Sequence, residues 1–417
     1  MRRSGRGPAI VVYSRVMFSR RIDWPGRTNS LARLLAVKRD RGADLIDLTE
    51  SNPTRAGIEY PVEELAAVFS ERAMARYAPE PRGSAAARGA VAAYYRRRGL
   101  QADPERIVLT ASTSDAYSLL FKMLLDPGEA LLIPRPSYPL FDYLAALEGL
   151  RVVDYRLDGE AERFRIDLPG LEQSAGGAGA LALVNPNNPT GSALTMEERA
   201  ALDALCAGRG LPIIADEVFW DYRFDGGAGV VSTMAATGET PRRTEALTFT
   251  LGGLSKSCGL PQMKLGWIVA GGPAEAVAEA LDRLEFIADC YLAVGAPVQA
   301  AAADLLDLGE TIRSAILRRI TANRASLSAA LPPDSPCRLL PADGGWYAVL
   351  KVPAILTEEE LAVHLLERDD VVLHPGYFFD FAREAFLVVS LLPPPERFAE
   401  GIGRILDRVA RIIAAAR

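Results

Sequence analysis

The chain predicts an α/β fold, in which a large domain carries a mostly parallel sheet flanked by helices and a smaller α+β domain completes the molecule. Three features lead there. The strand-like segments are continuous apolar runs rather than alternating ones, which suits strands buried on both faces. Helical patterns stand between those runs, and such alternation builds a parallel sheet with helical layers. From about residue 300 the pattern changes to one long helical region followed by isolated strand-like pieces. With 417 residues, 49% hydrophobic and 24% charged, the chain is long enough for two domains and a large buried core.

The elements follow in order. The first 22 residues hold six arginines and no acid, and the apolar stretch Ala9 to Tyr13 is too short for a secretory core. Residues 1–16 read either as an extension outside the fold or as part of it, and Met17 opens a stretch that would serve as a start by itself. The strand runs are Ile107 to Thr110, Ala130 to Pro134, Ala180 to Asn185, Pro212 to Val218, Ala246 to Leu251 and Gly266 to Ala270. Helical patterns cover Ser114 to Leu125, Tyr138 to Leu147 and Thr195 to Gly208, and the glycine-rich patch Ala175 to Gly179 reads as a loop. A long helical region is expected from about Val298 to Leu331, then strands at Trp346 to Val352 and Phe386 to Leu391 with a helix around Glu358 to Leu366 between them. Phe398, Ile402, Ile405, Val409 and Ile412 give an amphipathic terminal helix. The division expected is a large domain over 57–299 and a small one from 1–56 with 300–417.

Composition narrows the function. A net charge of −6 offers nothing to nucleic acid or an anionic membrane, and no apolar run approaches the roughly 18 to 20 residues that span a bilayer. Four scattered cysteines form no CxxC pair, which fits a reducing cytoplasm. Two histidines, His364 and His374, cannot build a multi-histidine metal site and poorly supply a serine–histidine triad. The chain has five lysines against 42 arginines, so each lysine is the more conspicuous.

In open α/β sheets ligands bind beyond the carboxyl ends of the strands, and four groups sit at such ends. Ser112, Thr113 and Ser114 fall between a strand and a helix, where hydroxyls and free N–H groups make either an anion site or a plain cap. Asn185-Pro186-Asn187-Asn188-Pro189-Thr190-Gly191 follows an apolar strand and fixes a turn presenting amide groups. Asp216 closes the strand Leu211 to Ala215, where a carboxylate must be paired or poised. Lys256 lies in the small-residue loop Leu254 to Pro261, where its amine can act as a nucleophile.

Together these groups resemble the fold type I pyridoxal-phosphate enzymes, in the class I/II aminotransferase family, from about Asp47 to the C-terminal helix. The motifs around Asn188, Asp216-Glu217, and Leu254-Ser255-Lys256 with Gly259 to Trp267 behind it keep the family's order and approximate spacing. The resemblance implies pyridoxal 5'-phosphate as cofactor, held by Lys256 as a Schiff base and shuttling a proton through the same amine. It implies that Asp216 pairs with the pyridine nitrogen so that the ring acts as an electron sink. Asn188 is similar to the asparagine on the phenolic oxygen, Tyr138 to the aromatic stacked on the ring, and Ser112, Thr113 and Ser114 to the phosphate cradle. Tyr77, ahead of Pro81-Arg82-Gly83, resembles the tyrosine that reaches the phosphate of a neighbouring subunit, which implies a homodimer.

Four family positions differ. Phe219 stands where a tyrosine is expected, Gly253 where a serine often binds phosphate, and Lys264 where an arginine forks onto phosphate. Val388, two residues before Ser390, replaces the arginine that clamps the substrate carboxylate. Arg55 in Ser51-Asn52-Pro53-Thr54-Arg55 is the spare cation that could partly replace it; its other reading is a solvated loop arginine. The function expected is transfer of an amino group between an amino donor and a 2-oxo acid. Other readings are β-elimination or decarboxylation on the same scaffold, or a non-catalytic cofactor-binding regulator; against the last, the residues before Asp47 carry no helix-turn-helix pattern.

Overall fold

A computed structural model of the chain describes residues 19, 21, 29–69, 75, 77–159, 163–227, 229–236 and 245–416. The extension expected over residues 1–16 lies outside them. The strands in chain order are β1 (Ile46–Asp47), β2 (Ile107–Thr110), β3 (Ala130–Arg135), β4 (Arg151–Asp158), β5 (Arg165–Ile166), β6 (Ala178–Val184) and β7 (Ile213–Asp216). They continue with β8 (Thr248–Gly253), β9 (Gly266–Gly271), β10 (Arg338–Leu339), β11 (Tyr347–Lys351), β12 (Val371–Val372), β13 (His374–Pro375) and β14 (Phe386–Ser390).

Among the described residues, eight strands form the large sheet in the order β2-β9-β8-β7-β6-β3-β4-β5. The pairs β3–β4, β3–β6, β6–β7 and β7–β8 are parallel, while β9 runs antiparallel to both β8 and β2. Two reversals through β9 therefore leave β2 parallel to β8. The carboxyl ends of β2, β6, β7 and β8 consequently open at one edge of the sheet, which is what brings four separate sequence motifs together. These strands are almost wholly buried, as their unbroken apolar runs require. The class of fold and the mostly parallel sheet are as the sequence predicts.

A second, antiparallel sheet has the order β10-β11-β14-β13, and β1 pairs with β12 in a short parallel ladder. On the face of β11 and β14 turned to the large sheet, Val349 opposes Val388, and both join Phe386 in one core with Leu183 and Leu194. The terminal helix Pro395–Ala416 buries Phe398, Ile402, Ile405 and Val409 as its spacing predicts.

Several boundaries move for local reasons. The helix expected from Tyr138 begins at Leu140, since Pro139 follows Tyr138 and disfavours a helical residue before it. The strand expected to reach Val218 stops at Asp216, whose carboxylate turns back to accept the Val218 N–H at 3.1 Å. The long helical region is two helices, Ala296–Ala300 and Ala302–Ala329, broken at Ala301. Helices Ala85–Arg97 and Ala274–Asp289 and strand β4, next to last in the sheet, have no counterpart in the sequence reading. β4 alternates apolar residues with Arg151, Asp154, Arg156 and Asp158, because one of its faces meets solvent.

Candidate active site

The aligned strand ends border a cavity of about 340 Å³. Asp216, Lys256, Asn188, Tyr138, Lys264 and the run Ser112, Thr113, Ser114 all line it. Eight of the ten residues singled out by the sequence therefore meet at one place. Tyr77 and Arg55 do not. Tyr77 is highly exposed and borders a separate surface hollow with Leu109, Tyr291 and Leu292. Arg55 is exposed over 75% of its side chain, and its Nε lies 3.4 Å from Glu50.

Asp216 sits at the last position of β7 and accepts two hydrogen bonds, from the Val218 N–H and from the Tyr117 hydroxyl, each at 3.1 Å. Burial pushes its carboxyl up to about 6, although those two donors and the nearby Lys256 pull the other way. Its neighbour Glu217 is fully engaged elsewhere, taking bonds from Asn185 at 2.9 Å, Ser232 at 2.5 Å and the Thr233 N–H at 2.8 Å. Alternation along the chain thus separates a buried structural acid from one that faces the cavity.

Lys256 lies on the helical turn Leu254–Ser257 directly after β8. Its carbonyl accepts the Tyr222 hydroxyl at 2.6 Å, and its Nζ stands 4.9 Å from the centre of the Trp346 ring. Burial lowers its pKa, with the Asp216 charge opposing the shift. A desolvated amine that loses its proton more readily is a better nucleophile.

Ser112 caps the 12-residue helix Thr113–Leu124 by accepting the Asp115 N–H at 3.1 Å, and Asp115 returns the bond to the Ala111 N–H at 2.9 Å. Thr113 and Ser114, in the first turn of that helix, also line the cavity. Gly266 closes this corner: a Cβ there would stand 3.0 Å from the Ser112 carbonyl carbon and the Thr110 hydroxyl. In the asparagine-rich turn, Asn185 and Asn187 are used internally, Asn187 donating to the Pro136 carbonyl at 3.1 Å and to the Thr190 hydroxyl at 2.9 Å. Asn188 alone borders the cavity, and its Oδ1 is buried without a hydrogen-bond partner. The same side-chain amide carries N–H donors that a ligand oxygen in the cavity can accept.

Sequence reasoning missed Tyr117, Trp346, Ser51 and Tyr347. Tyr117 follows Thr113 by one helical turn, so the spacing could have revealed it. Ser51 and Tyr347 reach the cavity from outside the large sheet; they are hydrogen-bonded to each other, and burial pushes Tyr347 up to about 12.

The donor set suits pyridoxal phosphate. A depressed amine, a buried carboxylate to meet a protonated ring nitrogen, a side-chain amide and a helix N-terminus for a phosphate stand around one space of adequate size. Fold and site thus define a fold type I pyridoxal-phosphate enzyme. Residues 43–405 match the aminotransferase class I and II family, and the chain belongs to it. It is 26% identical over 374 residues to the glutamate–pyruvate aminotransferase AlaA of Haemophilus influenzae, covering 88% of this chain and 91% of that one. It is 30% identical over 406 residues to the arginine–pyruvate transaminase AruH of Pseudomonas aeruginosa, covering 94% and 96%. A crystal structure of an Escherichia coli aminotransferase superposes with a TM-score of 0.81 at 22% identity, covering 95% of this chain and 99% of that one. The protein is a pyridoxal-phosphate-dependent aminotransferase, moving an amino group between a donor and a 2-oxo acid.

Proposed function

We propose the following division of labour among the residues of this aminotransferase. Lys256 would hold the cofactor through its amine and supply the base that moves the substrate proton. Asp216, oriented by Tyr117 and the Val218 N–H, would keep the ring nitrogen protonated. Ser112, Thr113, Ser114 and Lys264 would hold the phosphate, Lys264 as a point charge rather than a fork. Asn188 would donate to the phenolic oxygen and Tyr138 would pack on the ring. When bound, pyridoxal phosphate supplies the electron sink for charge developing on the substrate carbon.

The observation that carries this reading is the meeting of a depressed amine, Lys256, and a buried carboxylate, Asp216, in one cavity. Borohydride reduction of the holoenzyme should fix the cofactor to the protein at Lys256, and Lys256→Ala should lose that labelling together with at least about a thousandfold of turnover. Unchanged labelling of the variant removes Lys256 from the role.

The working unit is read as a homodimer in the cytoplasm, with the small domain formed by residues 1–56 and 300–417 against a large domain over 57–299. Tyr77, Phe286 and Tyr291 are large apolar side chains left exposed on the single chain, Tyr77 at 79%, which supports a covering copy. The cysteines are free, three of them buried, which suits a reducing compartment. Light scattering at micromolar concentration should give twice the chain mass; a fully active monomer contradicts the assembly.

A further inference from the structure

Lys256 is held at both ends by aromatic residues that lie outside its own motif. At its backbone, the carbonyl accepts the fully buried Tyr222 hydroxyl at 2.6 Å. At its tip, Nζ lies over the Trp346 ring, 4.9 Å from the centre. That ring is fixed edge-on by two neighbours, Tyr222 at 5.0 Å and 68° and Phe219 at 5.4 Å and 66°. Phe219 and Tyr222 come from the chain just beyond β7, whereas Trp346 directly precedes β11 of the small sheet. Residues next to both sheets therefore converge on one side chain. Packing alone gives no reason for an indole here. Trp346 is fully buried, and its Nε1 has no hydrogen-bond partner among the described residues. A buried N–H without a partner is destabilising, and a benzene ring would pack against Phe219 and Tyr222 without carrying one. What the indole adds is the aromatic face that attracts a cation most strongly.

We propose that Trp346 is a positioning residue for the reaction: its indole face holds the Lys256 Nζ in place and stabilises the positive charge that forms there when the amine takes up the substrate proton. The proposal rests on the role given to Lys256 above. In that step the proton leaves the substrate carbon, its bonding electrons stay behind, and Nζ turns from a neutral amine into an ammonium. Burial makes the ammonium costly, which is why the pKa of Lys256 is lowered. The titratable groups of this chain that share the cavity with it are Asp216, Lys264, Tyr117, Tyr138 and Tyr347, with Tyr222 against its backbone. Asp216 opposes the lowering, but its assigned place is at the ring nitrogen. A fixed aromatic face attracts the ammonium without adding a second titrating group beside it.

The test reads the amine of Lys256 directly in the full-length apoprotein. Acetic anhydride labelling is followed through the Lys256 peptide by mass spectrometry, against an added reference amine, across the pH range in which the amine titrates. Trp346→Leu removes the aromatic face and Trp346→Phe keeps a weaker one. The pH midpoint of labelling should fall by about 0.5 to 1.5 in Trp346→Leu and by a smaller step in Trp346→Phe. A ring that only kept water out would give the opposite sign, because water admitted beside Nζ raises the midpoint. With cofactor bound, kcat should fall about 3- to 30-fold in Trp346→Leu, the same energy read as a rate, while KM stays within about twofold. An unmoved or higher midpoint in folded Trp346→Leu overturns the proposal and leaves the role of Lys256 standing. Should Trp346→Leu not fold, Trp346→Phe decides alone, and a midpoint equal to or above the parent's overturns it. If borohydride does not fix the cofactor to Lys256 of the parent enzyme, the role of Lys256 and this proposal fall together.

Discussion

At the large-sheet end of the cavity, hydrogen bonds from the fold fix the positions of the reactive residues. Asp216 is held by Tyr117 and the Val218 N–H, the Lys256 carbonyl by Tyr222, and Ser112 by the first turn of its helix. At the small sheet, Val349 and Val388 are buried with Phe386, Leu183 and Leu194, behind the cavity and not in its lining. The first end is polar, oriented and costly to build. The second is apolar packing. The contrast teaches that the groups turned to the cavity are oriented by hydrogen bonds from the large sheet, whereas position 388 serves to pack the small sheet against it.

The cost at the polar end is measurable. Asp216→Asn should lower turnover by on the order of 10²- to 10³-fold, because a neutral amide no longer stabilises a protonated ring nitrogen. The same substitution should stabilise the protein without cofactor. The carboxyl of Asp216 is raised from 3.8 to about 6 in the fold. The folded state therefore holds its proton more tightly than the unfolded chain does. Its stabilising contribution is present in full below about pH 4, is lost as pH rises through about 6, and is absent at pH 8. The apoprotein of Asp216→Asn is then expected to gain about 1 to 2 kcal/mol over the parent at pH 8, after allowing for partial screening by water in the cavity. Thermal melts of both apoproteins between pH 4 and 8 check it. A gap that stays constant with pH means the carboxylate is not strained, and the two regions are less different than described.

The same contrast separates what could be read in the sequence from what could not. Asp216, Asn188 and Lys256 were legible because each follows an unbroken apolar strand and stands in a turn of unusual composition. The parallel order of the sheet then had to bring their strand ends together. Tyr117 reaches Asp216 across 99 residues of chain, Tyr347 comes to the cavity from another sheet altogether, and Trp346 just before it sets its ring 4.9 Å from the Lys256 Nζ, so no local pattern announces them. Strand β4 escaped because its outer face is charged, and the break at Ala301 escaped because both flanking segments are helical. The absence of an arginine at position 388 was visible in the sequence. That the position is filled rather than vacant was not, since it depends on Leu183 of β6 and Leu194 of the loop beyond it packing in the same core.

The smallest expected effect sharpens the apolar end of the contrast. Arg55 is the cation nearest in sequence to Ser51, which lines the cavity, yet its own side chain is three-quarters exposed and its Nε lies 3.4 Å from Glu50. The loop does not depend on it. Asn52 accepts the Thr54 N–H at 3.1 Å and the Thr54 hydroxyl at 2.8 Å, Glu50 accepts the Asn52 N–H at 2.9 Å, and the Glu50 carbonyl takes the Ser390 hydroxyl at 2.6 Å. Removing an exposed ion pair of this kind costs about 0 to 1 kcal/mol and leaves those anchors in place. Arg55→Ala should therefore change the KM for amines and for amino acids by no more than about fivefold, and equally for both. The informative failure is asymmetric. If the variant raises the KM for amino acids by 10-fold to 100-fold, the size expected for a lost charge-assisted pair, while amines are untouched, the loop must carry Arg55 into the cavity during turnover. The cavity would then have a cation supplied from outside it, and the difference between the two regions would belong to the resting enzyme alone.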